Sequence, residues 1–156
     1  MRTLITGIDA KGRSCVTSDG DVATSAVPGI PGVLNAVLYR TTQSPPPPRP
    51  PALAENVDVQ LPAGLLRVMI VDHAGHEPND APTTPSKMHN TDALDIVYVI
   101  EGQAVLVLED GQHAVGPGEC VITPGTDHAW EAGPAGVRFL VLSIGTPPLV
   151  GAGSGS

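Results

Sequence analysis

Apolar residues recur along this chain in short runs of about four to eight, broken by glycine, proline and charged turn residues, with no helical window between them. In the second half the runs are Leu65–Asp72, Asp95–Ile100, Ala104–Leu108, His113–Val115, Cys120–Thr123, Ala129–Glu131 and Val137–Ile144. Gly102, Glu109-Asp110-Gly111, Gly116-Pro117-Gly118 and Pro124-Gly125 supply turns between them. The first half is more broken, and Thr3–Thr6, Ser14–Thr17 and Gly32–Arg40 read as individual strands. Pro45–Pro51, interrupted only by Arg49, is a stiff spacer that cannot donate ladder hydrogen bonds. His73–Lys87 is a polar, proline-rich connection. Many short strands at regular spacing predict an all-β sandwich or barrel.

Composition sharpens this picture. The chain has 156 residues, the size of one compact domain. Valine alone contributes 18 residues, and β-branched side chains pack best on a pleated surface. The 18 glycines and 17 prolines exclude a helical bundle. A formal net charge of −8 with no basic run argues against nucleic acid and anionic membranes as partners. The start lacks the apolar stretch of a signal peptide, and no segment approaches the roughly 20 apolar residues of a membrane span, so a cytoplasmic location is expected. Cys15 and Cys120 are too far apart in sequence for a close-spaced metal or redox pair, and nothing requires a disulfide between them.

Two segments carry candidate chemistry. His89, Thr91 and Asp95 are spaced H-x-T-x3-D and share a parity with Val97 and Val99, so extended backbone can aim all five to one side. His128 and Trp130 share a parity just after the Pro124-Gly125 turn. Two imidazoles and a carboxylate inside a barrel can hold a divalent metal on one face, or work as an acid–base cluster without one. An ionised Asp95 pointing into an apolar barrel is costly unless paired or coordinated, the alternative being a cap at the start of its strand. Either histidine can instead be a hydrogen-bonded core residue. Arg67 shares a parity with Met69 and Val71, and could face the cavity and pair with an acidic substrate. Tyr98 has the opposite parity to Asp95 and is expected outside, against the N-terminal arm or a second subunit. His73, His76 and His113 are expected in solvent, the first two on a loop at the barrel mouth.

Asp95-x6-Gly102 and Gly118-x6-Gly125-x2-His128 resemble the two motifs of the cupin superfamily, and the surrounding stretch resembles single-domain bacterial and fungal cupins of secondary metabolism. The resemblance implies a double-stranded β-helix of the jelly-roll kind. It implies residues 1–64 as an N-terminal arm, 65–148 as the barrel and 149–156 as a flexible tail, in a homodimer. It also implies His89, Asp95 and His128 as catalytic residues or ligands of one divalent metal (Fe, Mn, Ni or Zn), with Thr91 standing where a second histidine is usual and Asp95 replacing glutamate. Thr91, Val97, Val99, Trp130, Met69 and Arg67 are then the substrate-binding candidates. The expected function is a lyase- or isomerase-like enzyme acting on an apolar, oxygenated, polyketide-type small molecule. An Fe(II)- or Mn(II)-dependent dioxygenase and a non-catalytic ligand-binding barrel are the competing expectations.

Overall fold

The computed structural model describes residues 1–32, 34–75 and 87–149, and in them the chain is all β. The strands are β1 (Arg2–Ile8), β2 (Ser14–Asp21), β3 (Ser25–Ala26), β4 (Leu34–Asn35), β5 (Glu55–Asn56), β6 (Leu66–His73), β7 (His89–Asn90), β8 (Ala93–Leu108), β9 (Gly111–Val115), β10 (Cys120–Thr123) and β11 (Ala129–Gly145). The principal sheet runs β2-β1-β10-β8-β11-β6, with β9 on the far half of β8. Among the described residues no helix is long and apolar enough to cross a membrane. His76 and the 151–156 tail lie outside the described residues.

Two long strands make the barrel. Gly102 is not a turn between two strands, as its place between apolar runs suggests, but a bend inside the continuous β8. Its φ of 83° suits glycine, and a Cβ there would lie 2.2 Å from the Gly136 carbonyl oxygen. In the same way Ala129–Glu131 and Val137–Ile144 are one strand, β11, whose register against β8 shifts between Ala132 and Val137. Because both strands bend at the same level, the first half of β8 pairs with the second half of β11, and the second half of β8 with the first half of β11. The sheet therefore closes over its own inner face. β6 begins one residue later than expected, at Leu66, and pairs along the outer edge of β11.

Strand alternation sorts the side chains into rows. The inward rows crossing β10, β8, β11 and β6 are Thr123–Asp95–Ser143–Arg67, then Val121–Val97–Val141–Met69; below these, Val99–Phe139–Val71 crosses the last three. The two lower rows, with Leu106, Trp130 and Leu4, form the main core. Each large apolar side chain buried there contributes about 1.5–3 kcal/mol. The opposite face carries a second cluster of Leu94, Cys120 and Ile122, against which Tyr98, Leu38 and Tyr39 pack. Burial pushes the Cys120 thiol up to about 11, and both Cys15 and Cys120 are free thiols. Leu66, Val68 and Ile70 on the outward side of β6 stay exposed.

The arm differs from expectation. β1 and β2 join the barrel sheet, β1 lying parallel to β10. Of the expected strand Gly32–Arg40, only Leu34–Asn35 pairs, against Ser25–Ala26. No partner edge reaches residues 36–40, so the segment is held by Leu38 and Tyr39 packing on the barrel rather than by a ladder. The proline-rich spacer brings Arg49 onto Asp92, with Nε donating at 2.8 Å.

Candidate functional site

The barrel encloses a cavity of about 230 Å³ lined by His89, Asp95 and His128, by Arg67, Ser143 and Thr123, and by an apolar wall including Met69, Val71, Val97, Val141, Trp130 and Phe139. Seven of the sequence candidates therefore meet there: His89, Asp95, His128, Val97, Trp130, Met69 and Arg67. Two do not line it. Val99 is fully buried in the core row beneath, because Phe139 and Val71 in its own row fill the space above it. Thr91 lies on non-strand backbone, where strand parity no longer aims its side chain, and its hydroxyl donates to Asp95 Oδ2 at 3.2 Å.

The two histidines are positioned by backbone. His89 N donates to His128 O, and His128 N to His89 O, both at 2.9 Å, and the rings sit 4.6 Å apart. His89 Nδ1 is 2.9 Å from the Lys87 carbonyl and His128 Nδ1 is 2.8 Å from that of Thr126. A carbonyl only accepts, so each Nδ1 carries the hydrogen and each neutral ring keeps its lone pair on Nε2. Burial pushes the His128 pKa below its ordinary value of 6.5; the Thr126 carbonyl opposes this, and the charge of a protonated His89 pushes it further down. His128 is thus a neutral base at pH 7, and the pair resists carrying two protons at once.

Asp95 is held from two sides, by Thr91 and by the Ser143 hydroxyl, which donates to its Oδ1. Among the described residues no group of three histidine, cysteine, aspartate or glutamate side chains stands in metal-holding geometry. His89, Asp95 and His128 nonetheless line one cavity, with the carboxylate accepting from the two hydroxyls. These three are the residues that would hold a divalent metal, which would supply Lewis-acid chemistry there.

Sequence reasoning missed three participants, Ser143, His73 and Asp127, and, outside the site, misplaced His113. Ser143 sits at an inward parity with Val141 and Phe139, so a polar residue there was a readable signal. His73, expected in solvent, lines the cavity edge-on to Phe139 at 5.7 Å, and burial lowers its pKa. His113 is also not free in solvent, its Nε2 lying 2.8 Å from Asp110 Oδ1. Asp127 is buried and accepts from Leu53 N at 2.7 Å, Ala54 N at 3.0 Å and Asn90 Nδ2 at 2.8 Å. Each end of the Asp127–Asn90 bond is the chain neighbour of a cavity histidine. Gly125 places this segment, with φ of 70° and a Cβ site only 2.5 Å from the Thr91 carbonyl oxygen.

A shallower depression of about 460 Å³ lies beside this cavity, sharing His73 and lined by Asp72, Glu101 and Arg138. Its guanidinium already pairs with both carboxylates, at 2.7 and 3.2 Å. The enclosed cavity with convergent imidazoles is the candidate site.

An all-β barrel built on two bent strands, with titratable groups gathered at one end of an apolar interior, defines a barrel of the jelly-roll class. Residues 76–143 match the family described as Cupin domain. No curated protein matches it. Solved structures that resemble it include a sugar phosphate isomerase from a cupin superfamily, from Silicibacter pomeroyi DSS-3, at 23% identity and a TM-score of 0.41. That match covers 55% of this chain and 54% of the other, so it spans about half of each.

Proposed function

We propose that this chain is a cupin and an acid–base enzyme of the lyase or isomerase type, acting on a small, largely apolar, oxygenated molecule. The observation that carries the reading is the His89–His128 pair in the cavity wall, with both Nδ1 atoms on backbone carbonyls, which leaves a neutral ring its lone pair on Nε2. His128 Nε2 takes a proton from carbon next to a carbonyl, and the electrons of that C–H bond move to the carbonyl oxygen. The charge of Asp95 favours the imidazolium so formed. The proton now held by the imidazole pair is delivered through His89 to another carbon of the conjugated enolate as its electrons return from oxygen, giving isomerisation, or to a β-hydroxyl that leaves as water while those electrons form the C=C bond, giving dehydration.

Cavity size narrows the substrate class. About 230 Å³ lies below the range that encloses drug-sized ligands, so a single ring or short branched chain suits it better than a fused polyketide. The dioxygenase reading has less support, since the carboxylate its iron would need is engaged by Thr91 and Ser143.

Solvent-deuterium wash-in tests the proposal. The chain is incubated in D2O with chelator, under argon, with short ketones and β-hydroxy carbonyl compounds, and loss of the α-proton signal is followed by NMR. Exchange above the buffer rate is the expected result. Binding of these compounds without exchange contradicts catalysis and leaves a ligand-binding barrel. In a parallel aerobic sample without chelator, oxygen uptake that depends on added iron or manganese, with no exchange in the first sample, contradicts it in favour of a dioxygenase.

A further inference from the structure

Two polar atoms in residues of the cavity wall are buried with no hydrogen-bond partner: Arg67 Nε and Thr123 Oγ1. They stand at opposite ends of one inward row, whose middle members, Asp95 and Ser143, satisfy each other. A buried polar group left unpaired costs about 1–3 kcal/mol, and such groups in native proteins mark a missing partner.

Arg67 indicates the chemistry of that partner. Its Nη1 donates to the Val59 carbonyl at 3.0 Å, which among the described residues is its one hydrogen bond. Among the described residues no carboxylate pairs with it, so Arg67 lines the cavity as a cation without a counter-charge, and a carboxylate is the anion that matches a planar guanidinium. The next row along β6, β11 and β8 is Met69, Val141 and Val97, an apolar floor beside the guanidinium. A single guanidinium balances a monoanion. A phosphate dianion would leave surplus negative charge in a cavity that already holds Asp95, in a chain with net charge −8.

We infer that the cavity binds its ligand through a carboxylate paired with the Arg67 guanidinium, with a short apolar body lying on Met69, Val97 and Val141. This deepens the reading of the cavity as a substrate site and rests on it: the substrate class becomes small apolar monocarboxylic acids bearing a further oxygen function. Arg67 is a binding residue here and takes no part in proton transfer.

The test is binding, read apart from turnover. Full-length protein with chelator is titrated with isovalerate, its neutral isostere isovaleramide, and inorganic phosphate, by calorimetry or NMR shifts. Isovalerate is expected to bind saturably and the amide at least about tenfold more weakly, as suits loss of a charge-assisted hydrogen bond. Arg67→Gln is expected to weaken isovalerate about 10- to 100-fold and to erase the difference between acid and amide, with Arg67→Lys between. Should Arg67→Gln fail to fold, the acid–amide comparison on the wild type decides alone. Equal binding of acid and amide, preference for phosphate, an unaffected Arg67→Gln, or no saturation below about 20 mM each overturns the inference. Carboxylate binding without deuterium wash-in sustains it while removing the catalytic reading. Wash-in on neutral ketones without carboxylate binding does the reverse.

Discussion

Replacing His128 by glutamine is expected to lower turnover by about 10²- to 10⁴-fold while leaving substrate binding within a few-fold. Glutamine retains an amide near the ring position but has no lone pair of comparable basicity, so the loss falls on kcat. The same change at His89 is expected to cost less in proton abstraction and more in the return step, because His89 sits nearer solvent and shares its proton with the pair. The measurement is kcat and KM for wash-in on whichever compound exchanges fastest. A His128→Gln variant that raises KM and spares kcat would make the residue a binding group and remove it as the base. Stability carries a matching signature. The folded-state pKa of His128 lies below 6.5 through burial, so the unfolded chain holds more protons between that lowered value and 6.5. In metal-free protein, stability from this group is complete above pH 6.5 and falls as pH drops through the window, by up to about 1.4 kcal/mol per pH unit.

Asp127→Ala is expected to destabilise the fold by about 3 kcal/mol, a fall in Tm of roughly 6–12 °C for a domain of this size. Three donors converge on this carboxylate and lose it to alanine: Leu53 N and Ala54 N at part-buried positions, and Asn90 Nδ2 in the interior. Asn90 would keep its bonds to Ala54 O and from Asn56, so the damage centres on the joint between β7 and the segment carrying His128. That joint fixes the spacing of the two imidazoles, so activity falls with stability rather than independently of it. Asp127→Asn, which keeps one acceptor oxygen, is expected to recover part of both. Thermal melts with matched wash-in rates check the pair. An Asp127→Ala protein as stable as the wild type would mean that the 53–54 loop is held by something else.

The barrel was legible in the sequence because alternation is a local signal. Apolar positions at period two along the strands fix which side chains turn inward, and Asp95, Val97, Met69 and Arg67 follow from parity, while His89 and His128 come from the two motifs. What parity cannot read is continuity across a bend. Gly102 breaks the apolar run as a turn glycine would, yet its positive φ keeps β8 going and lets Gly136 pack against it. Parity also fails off the strand, which is why Thr91 was aimed at the cavity and sits instead against Asp95. Asp127 escaped because its partners are backbone groups some 70 residues away in a loop, a contact that no local pattern announces. The Gly32–Arg40 run has strand composition without a partner edge, and composition alone forms no ladder.

The central claim is that His128 stands in the cavity as a neutral imidazole with its hydrogen on Nδ1 and its lone pair on Nε2. Long-range ¹H–¹⁵N correlation spectra of ¹⁵N-labelled, metal-free protein, followed from pH 8 to pH 5 with His128→Gln for assignment, test it most directly. The expected result is a protonated Nδ1 and an unprotonated Nε2 at pH 7, with a titration midpoint below 6.5. An imidazolium at pH 7, or a neutral ring carrying its hydrogen on Nε2, would contradict the account, because neither offers the cavity a base.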